Sequence, residues 1–164
     1  RPSPSGLRYA EDQLFNLQVF PRAERVALLA KDVYVYKFGG VTGNLTLSLF
    51  DDMIRLHSRK MGMTDREDWK KSELRAFLNN VRSFLATLAV SGQLTARRMP
   101  EALQKLNESS IWRQALEAHP GVDDGFFSAM RRNDHAAAYQ ELSRNTFLKK
   151  VSYRLRRIIL KLVR

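Results

Sequence analysis

The stretch LRAFLNNVRSFLATL, residues 74–88, decides the fold class of this chain. The preceding residues 64–67, TDRE, have the spacing of a capping box, in which Thr64 satisfies a free backbone N–H and Glu67 reaches back to the cap residue. Gly92 follows the stretch and is typical of a helix end. We therefore predict a long helix, with a break near Ser72 as the alternative. Its apolar residues recur every three or four positions and form one wide helical face: Leu74, Phe77, Leu78, Val81, Phe84, Leu85 and Leu88.

Turn-forming and helix-capping residues divide most of the remaining chain into further helices. A short strand is the alternative at residues 33–36, VYVY, because these residues have high strand propensity. The sequence predicts one all-α domain of about seven helices. Besides the long helix, the predicted helices cover roughly residues 21–39, 44–62, 100–106, 110–120, 123–131, 135–142 and 146–164.

Three glycines, Gly62, Gly92 and Gly121, are nearly evenly spaced along the chain. Each is followed by a Thr or Asp cap and by enough sequence for one or two helices. This spacing is typical of stacked helical hairpins, in which each hairpin buries its apolar face against its neighbours. An irregular helical bundle is the alternative, since helix ends favour Gly in any fold.

We divide the chain into three parts. Residues 1–8 are predicted to be an extended N-terminal arm, because Pro, Ser and Gly dominate them. Residues 9–145 form the helical domain, and residues 146–164 form a basic amphipathic C-terminal helix. The sequence begins at Arg1 rather than Met, which a removed organelle presequence or a trimmed chain would explain. We expect a mitochondrial matrix location.

The 164 residues include 28 Lys and Arg and 17 Asp and Glu, which gives a net charge of +11. The last nineteen residues contribute seven of these cations and no acid, and they surround an apolar stripe. A helix of this kind docks on an acidic protein face, on RNA or on an anionic membrane surface. A closing helix with solvated charges is the alternative, but it does not explain why the charges have one sign. The predicted partner-binding residues are Lys149, Lys150, Arg154, Arg156, Arg157, Lys161 and Arg164.

The sequence carries no grouping of catalytic or metal-ligating residues. It contains no Cys, which excludes disulfides, thiolate nucleophiles and zinc fingers with Cys ligands. The three His are scattered, and His57 is expected to pack in the core, four residues after Met53. Asp51 and Asp52 point to different sides of a helix and do not form an acid–base pair. We therefore predict a non-enzyme without cofactor or metal, and no apolar stretch is long enough for a membrane span.

Parts of the chain resemble pentatricopeptide repeats. Residues 45–53 with 60–65 are similar to the second helix and exit of such a repeat, and residues 77–80, 85–88 and 91–94 to its first helix and internal turn. The pair Ala102 and Leu103 is similar to the start of a following second helix. The resemblance implies organellar RNA binding by polar side chains at fixed positions. No regular pair of such polar residues recurs across the predicted hairpins.

In size, charge, lack of Cys and helical-repeat character the chain also resembles the lineage-specific subunit on the catalytic head of euglenozoan mitochondrial ATP synthase. This resemblance implies a structural subunit bound to the outside of the catalytic subunits. Our expectation is therefore a non-catalytic subunit of a large mitochondrial assembly, with that catalytic head as the specific assignment. An RNA-binding protein, such as a mitochondrial ribosomal protein, is the alternative, and peripheral membrane contact is a third hypothesis.

Overall fold

The computed structural model describes residues 7, 11–19, 22–25, 27, 45–122 and 125–144. Strands are absent from these ranges, and a 3₁₀ turn at Ala96–Arg98 precedes the fourth helix, so the all-α prediction is confirmed. The helix predicted at residues 21–39 is wrong over its first turns, because residues 22–25 and 27 are described and are not α-helical. The rest of that prediction, its strand alternative and the C-terminal helix lie outside the described residues. The α-helices are α1 (Glu11–Val19), α2 (Leu47–Met61), α3 (Glu67–Ser91), α4 (Met99–Asn107), α5 (Ser110–Ala118), α6 (Gly125–Arg131) and α7 (His135–Arg144).

Helix α3 organises the fold. It runs without a break through Ser72, so the alternative of two shorter helices is wrong. It packs against α2, α5 and α7, which places it at the centre of one continuous apolar core. All seven residues of its predicted apolar face are buried. Removing seven large side chains from water supplies much of the driving force for folding, at roughly 1.5–3 kcal/mol for each fully buried side chain.

The two ends of α3 are built differently. At the C-terminus Gly92 adopts the left-handed conformation (φ 79°), and its N–H bonds to the carbonyl oxygen of Ala89. At the N-terminus the predicted capping box is wrong, because the helix begins only at Glu67 and its N-cap residue, Arg66, makes no side-chain cap bond. The Thr64 hydroxyl instead accepts the N–H of Arg66 at 3.2 Å in the turn before the helix.

The glycine spacing does not correspond to equal structural units. The interval from Gly62 to Gly92 contains α3 alone, whereas the interval from Gly92 to Gly121 contains the 3₁₀ turn, α4 and α5. Helical hairpins are present as α2–α3 and as α6–α7, the latter turning at Asn133 with φ 55°. Because α3 also contacts the distant α5 and α7, these hairpins gather around one central helix. Of the two alternatives that the spacing allows, the structure has the irregular bundle.

Aromatic side chains connect the helices through the core. Phe77 of α3 meets Trp112 of α5 edge to face, with ring centroids 6.5 Å apart. Trp112 in turn lies 6.2 Å from Phe127 of α6, and Phe50 of α2 lies 5.4 Å from Phe84 of α3. Such ring pairs add about 0.5–1.5 kcal/mol beyond their buried area. Trp112 is buried at the centre of this chain of contacts.

Helix α1 lies at the edge of the bundle. Its Leu14 packs with Leu7 and with Leu56 of α2 in a small apolar cluster separate from the main core. Phe15 and Val19 on the same helix are exposed. The sequence patterns did not identify α1 as a separate helix, because its nine residues are too mixed to form a clear stripe. Within the described ranges, no helix combines the length and the apolar character that a membrane crossing requires.

Candidate functional site

The seven predicted partner-binding cations, Lys149 to Arg164, lie outside the described residues. The described helices show how the rest of the charge is arranged. Residues 45–144 carry fifteen Lys and Arg and thirteen Asp and Glu, a net charge of +2. Residues 145–164 carry seven cations and no acid. The helical bundle is therefore close to neutral, and most of the excess charge is in the C-terminal segment.

Many cations on the bundle have an acidic partner. Lys105 of α4 bonds to Asp51 of α2 at 2.7 Å. Three other ion pairs each join residues within a single turn of the chain. Each of the four pairs contributes little to stability, because water screens exposed charges. These pairs offset part of the positive charge on the helices that carry them. The other pairs are Arg66–Asp68 at 2.6 Å, Lys70–Glu67 at 2.9 Å and Arg98–Glu101 at 3.2 Å.

Exposed cations that make no ion pair within the described part of the chain are dispersed over the bundle. Among them, Arg75 is on α3, Arg97 is in the 3₁₀ turn and Arg113 is on α5. Arg132 follows α6 and Arg144 ends α7. A nucleic-acid interface usually presents Lys and Arg clustered on one face or along one helix. These five cations lie at five separate places along the chain, and they do not line one helix.

A groove of about 570 Å³ opens between the C-terminal ends of α2 and α5, above the first turns of α3. Its apolar residues are Met61, Leu74 and Ala118, one from each helix. Its polar residues include two acids and two cations, so their charges sum to zero. An apolar base with a mixed polar border is the usual composition of a protein-binding surface. The polar residues are Glu67, Lys70, Lys71, Gln114 and Glu117.

Hydrogen bonds fix the wall of this groove that α5 provides. The Nε2–H of His119, just after α5, donates to the carbonyl oxygen of Lys71 in α3 at 2.9 Å. The guanidinium of Arg131 in α6 donates to the carbonyl oxygens of Val122 and Pro120, at 3.1 and 3.2 Å. These bonds tie residues 119–122, which follow α5, to α3 on one side and to α6 on the other.

A buried polar cluster lies beside the groove, between α2 and α3. His57 of α2 is only 1% exposed. Its Nδ1 lies 2.6 Å from Oε1 of Glu73 on α3, and its Nε2 lies 2.9 Å from the amide nitrogen of Asn80, two turns further along α3. Lys60 of α2 approaches the same Glu73 oxygen at 3.4 Å. The edge of the imidazole packs against Phe77, with ring centroids 5.3 Å apart.

Glu73 is charged in this environment. Burial disfavours the carboxylate, but the hydrogen bond and charge of His57, together with the charge of Lys60, outweigh burial and hold the pKa of Glu73 below its usual value. The cluster therefore holds an ionised carboxylate with two donors inside a helix–helix interface. Burying this charge is tolerated because it is paired and hydrogen-bonded.

The cluster is not arranged for chemistry at the surface. A His oriented by a carboxylate is the arrangement of a general base, but a base must reach the proton of a substrate. Here Nε2 is already bonded to Asn80 and the ring of His57 is buried. In the described residues, no three His, Asp or Glu side chains are grouped so that they could bind a metal ion.

The sequence patterns missed this cluster. The prediction that His57 packs in the core is confirmed, and the structure adds a carboxylate partner, Glu73, from the neighbouring helix. A signal was present: Glu73, Phe77 and Asn80 are spaced by four and three residues, which puts two polar groups on one face of α3. The prediction for Asp51 and Asp52 is confirmed, since Asp52 is buried beside Arg55 while Asp51 bonds to Lys105.

Comparison of the chain with protein-family models, with curated proteins and with solved structures gives no match.

Proposed function

We propose that this protein is a non-catalytic structural subunit of a large mitochondrial assembly, and specifically that it binds the catalytic head of an ATP synthase. The observation that carries the proposal is the division of charge. A nearly neutral bundle, with +2 over residues 45–144, is joined to a segment that holds seven cations and no acid. This division is expected for a scaffold that is tied to an acidic protein face by one terminal helix.

The groove between α2, α3 and α5 supports protein contact as a second element of the proposal. Its lining combines Met61, Leu74 and Ala118 with two acids and two cations. Mixed charges around apolar side chains suit the surface of another subunit and repel a polyanion at the acids. The proposed subunit therefore uses the terminal helix for electrostatic attachment and the bundle surface for packing.

A charge-reversal experiment tests the proposal. The tagged full chain is purified under native conditions from its source, and co-migration with the ATPase catalytic subunits is measured. The variant Arg154→Glu, Arg156→Glu, Arg157→Glu should lose the complex. The matched control Arg75→Glu, Arg97→Glu, Arg113→Glu makes the same change of charge on the bundle and should keep it. Equal loss of the complex in both variants would show that binding depends on net charge alone and not on the terminal segment. Absence of the catalytic subunits from the wild-type preparation would refute the assignment to the ATP synthase.

RNA binding is the second candidate, because a net charge of +11 suits a polyanion. It makes a separate measurable prediction. Binding to phosphates releases counterions, so affinity for RNA should fall by orders of magnitude between roughly 50 and 200 mM salt. Co-sedimentation with ribosomal RNA and this salt dependence would replace the structural-subunit proposal. Lack of RNA binding at low salt would eliminate the second candidate.

A further inference from the structure

Helix α1 has an apolar face that the described part of the chain leaves uncovered. Its Leu14 packs on Leu7 and on Leu56 of α2, whereas Phe15 is 63% exposed and Val19 is 41% exposed. Phe15 and Val19 are four residues apart, so their side chains are neighbours on one side of the helix. A helix of nine residues is marginal on its own in water. A second packing partner on the Phe15 side would therefore stabilise α1.

The terminal segment, residues 145–164, has an apolar stripe that also needs a cover. In the helix that the sequence predicts, Arg154 and Arg156 flank this stripe, while Lys150 and Arg157 lie on the opposite side. The stripe is therefore free to pack on another helix while part of the positive charge stays in water. Its members are Leu148, Val151, Leu155, Ile158, Ile159 and Leu162.

We propose that the terminal segment docks on α1 through this stripe and covers Phe15 and Val19. Among the described residues, the large apolar side chains that are exposed are Phe15, Val19 and Met63. Met63 lies in the turn between α2 and α3, whose other residues are polar or glycine. The face of α1 therefore offers the stripe two neighbouring apolar side chains, which the turn does not.

Charge complementarity favours the terminal segment over residues 20–44, which join α1 to α2. Helix α1 has two acids and no cation. One of these acids, Asp12, is exposed and lies one turn before Phe15 on the same side of the helix. The terminal segment has a net charge of +7, whereas residues 20–44 have a net charge of +2. Opposite charges therefore draw the terminal segment to α1 more strongly and disfavour the other cover.

The terminal segment is long enough to reach α1. It follows α7 directly, and its 20 residues span about 30 Å as a helix. A domain of about 100 residues has a radius of gyration of only about 13 Å. Docking also leaves Lys150 and Arg157, opposite the stripe, available to an acidic partner. The docking goes beyond the proposed function and does not depend on that partner.

Paired cysteines test the docking, because the chain contains no Cys of its own. Val19→Cys is combined in turn with Leu148→Cys, Leu155→Cys or Leu162→Cys, and a short bismaleimide is added to the dilute full chain. The matched control replaces Val19→Cys by Gln13→Cys, an exposed position on the opposite side of α1. An undocked tail would reach both positions of α1 at similar effective concentration, so docking should make at least one internal cross-link to Val19→Cys about tenfold faster than to Gln13→Cys.

The rates and the products decide between the possible covers. Equal rates at Val19 and Gln13 would overturn the proposal. Cross-linked dimers would also overturn it, because they would show that a second copy covers the face. A faster link from Val19→Cys to Val33→Cys than to any terminal position would assign the cover to residues 20–44 instead.

A charge placed in the apolar face provides a second readout. Phe15→Asp, at an exposed position, should lower the cross-linking rate of Val19→Cys to that of Gln13→Cys. An unchanged rate would contradict docking through this face. Both measurements use the isolated full chain, so failure of the docking and failure of the proposed binding to the ATP synthase are observed in separate experiments.

Discussion

The two halves of α3 stabilise the bundle in different ways. The second half, residues 81–91, contacts its neighbours through apolar side chains such as Leu85 and ends at a left-handed glycine. The first half, residues 67–80, places Glu73 and Asn80 around His57, borders the groove and begins without a side-chain cap. The difference shows that one helix can combine a non-directional apolar contact with a polar contact that depends on individual partners.

The largest effect is expected in the apolar half. Leu85→Ala removes a side chain that is 0% exposed at the centre of the core, and should lower the free energy of unfolding by about 2–5 kcal/mol. Urea unfolding of the full chain measures this loss. Ser83→Ala, at an exposed position two residues earlier, should change it by less than about 0.5 kcal/mol. Similar losses in the two variants would contradict the placement of this helix face.

Substitutions in the polar half should lower stability less than Leu85→Ala does. Their effect should depend more on whether the new side chain can still bond to His57. Glu73→Ala leaves the Nδ1–H of His57 without its acceptor and should cost about 1–3 kcal/mol. Glu73→Gln keeps an acceptor oxygen and should cost less. A double-mutant cycle with His57→Leu should show a coupling of at least about 0.5 kcal/mol. Additive losses would mean that the two side chains do not interact in solution.

The charge of Glu73 should also make the stability of the bundle depend on pH in the acidic range. The pKa of Glu73 is lower in the folded protein than its ordinary value of 4.5, so the unfolded chain binds more protons as the pH falls. The stabilisation that Glu73 provides is present above its unfolded pKa and is lost as the pH falls through its folded pKa. We therefore expect the stability difference between wild type and Glu73→Gln to shrink below about pH 5. A difference that stays constant with pH would argue against a buried, charged Glu73.

A smaller effect is expected at the C-terminal end of α3. Gly92 has φ 79° and open space where the Cβ of another residue would lie, so Gly92→Ala should cost about 1–2 kcal/mol through backbone strain alone. Gly121 also has open space but lacks a positive φ. Gly121→Ala should therefore be neutral or slightly stabilising, by less than about 1 kcal/mol. Thermal unfolding measures the stability change in both variants. Equal changes would contradict the view that the left-handed conformation of Gly92 makes its replacement costly.

The apolar half of α3 could be predicted from the sequence because helical periodicity depends only on residues within the same helix. Leu74 to Leu88 repeat at helical spacing, and a buried face follows from that alone. The contact between His57 and Glu73 could not be predicted in this way, because it joins two helices whose register is set by packing. The groove depends on α2, α3 and α5 meeting at one place, which local patterns do not contain.

The terminal cations show a different limit of prediction from the sequence. Their number and single sign could be identified from composition, but the partner that they contact is defined by the shape and charge of another molecule. The bundle adds one constraint that composition alone does not provide. Since Lys105, Lys70 and Arg98 are paired with acids, attachment by charge is expected to concentrate in the terminal segment.

The smallest expected effect tests the N-terminal end of α3. Thr64 precedes the helix and accepts only the N–H of Arg66, in an exposed turn. Thr64→Ala should therefore lower stability by less than about 0.5 kcal/mol. If Thr64 were the cap residue of α3, as the sequence pattern predicts, the same change would cost about 0.5–2 kcal/mol. Urea unfolding distinguishes these ranges, and a loss near 1 kcal/mol would mean that the capping box forms in solution and that both ends of α3 are capped.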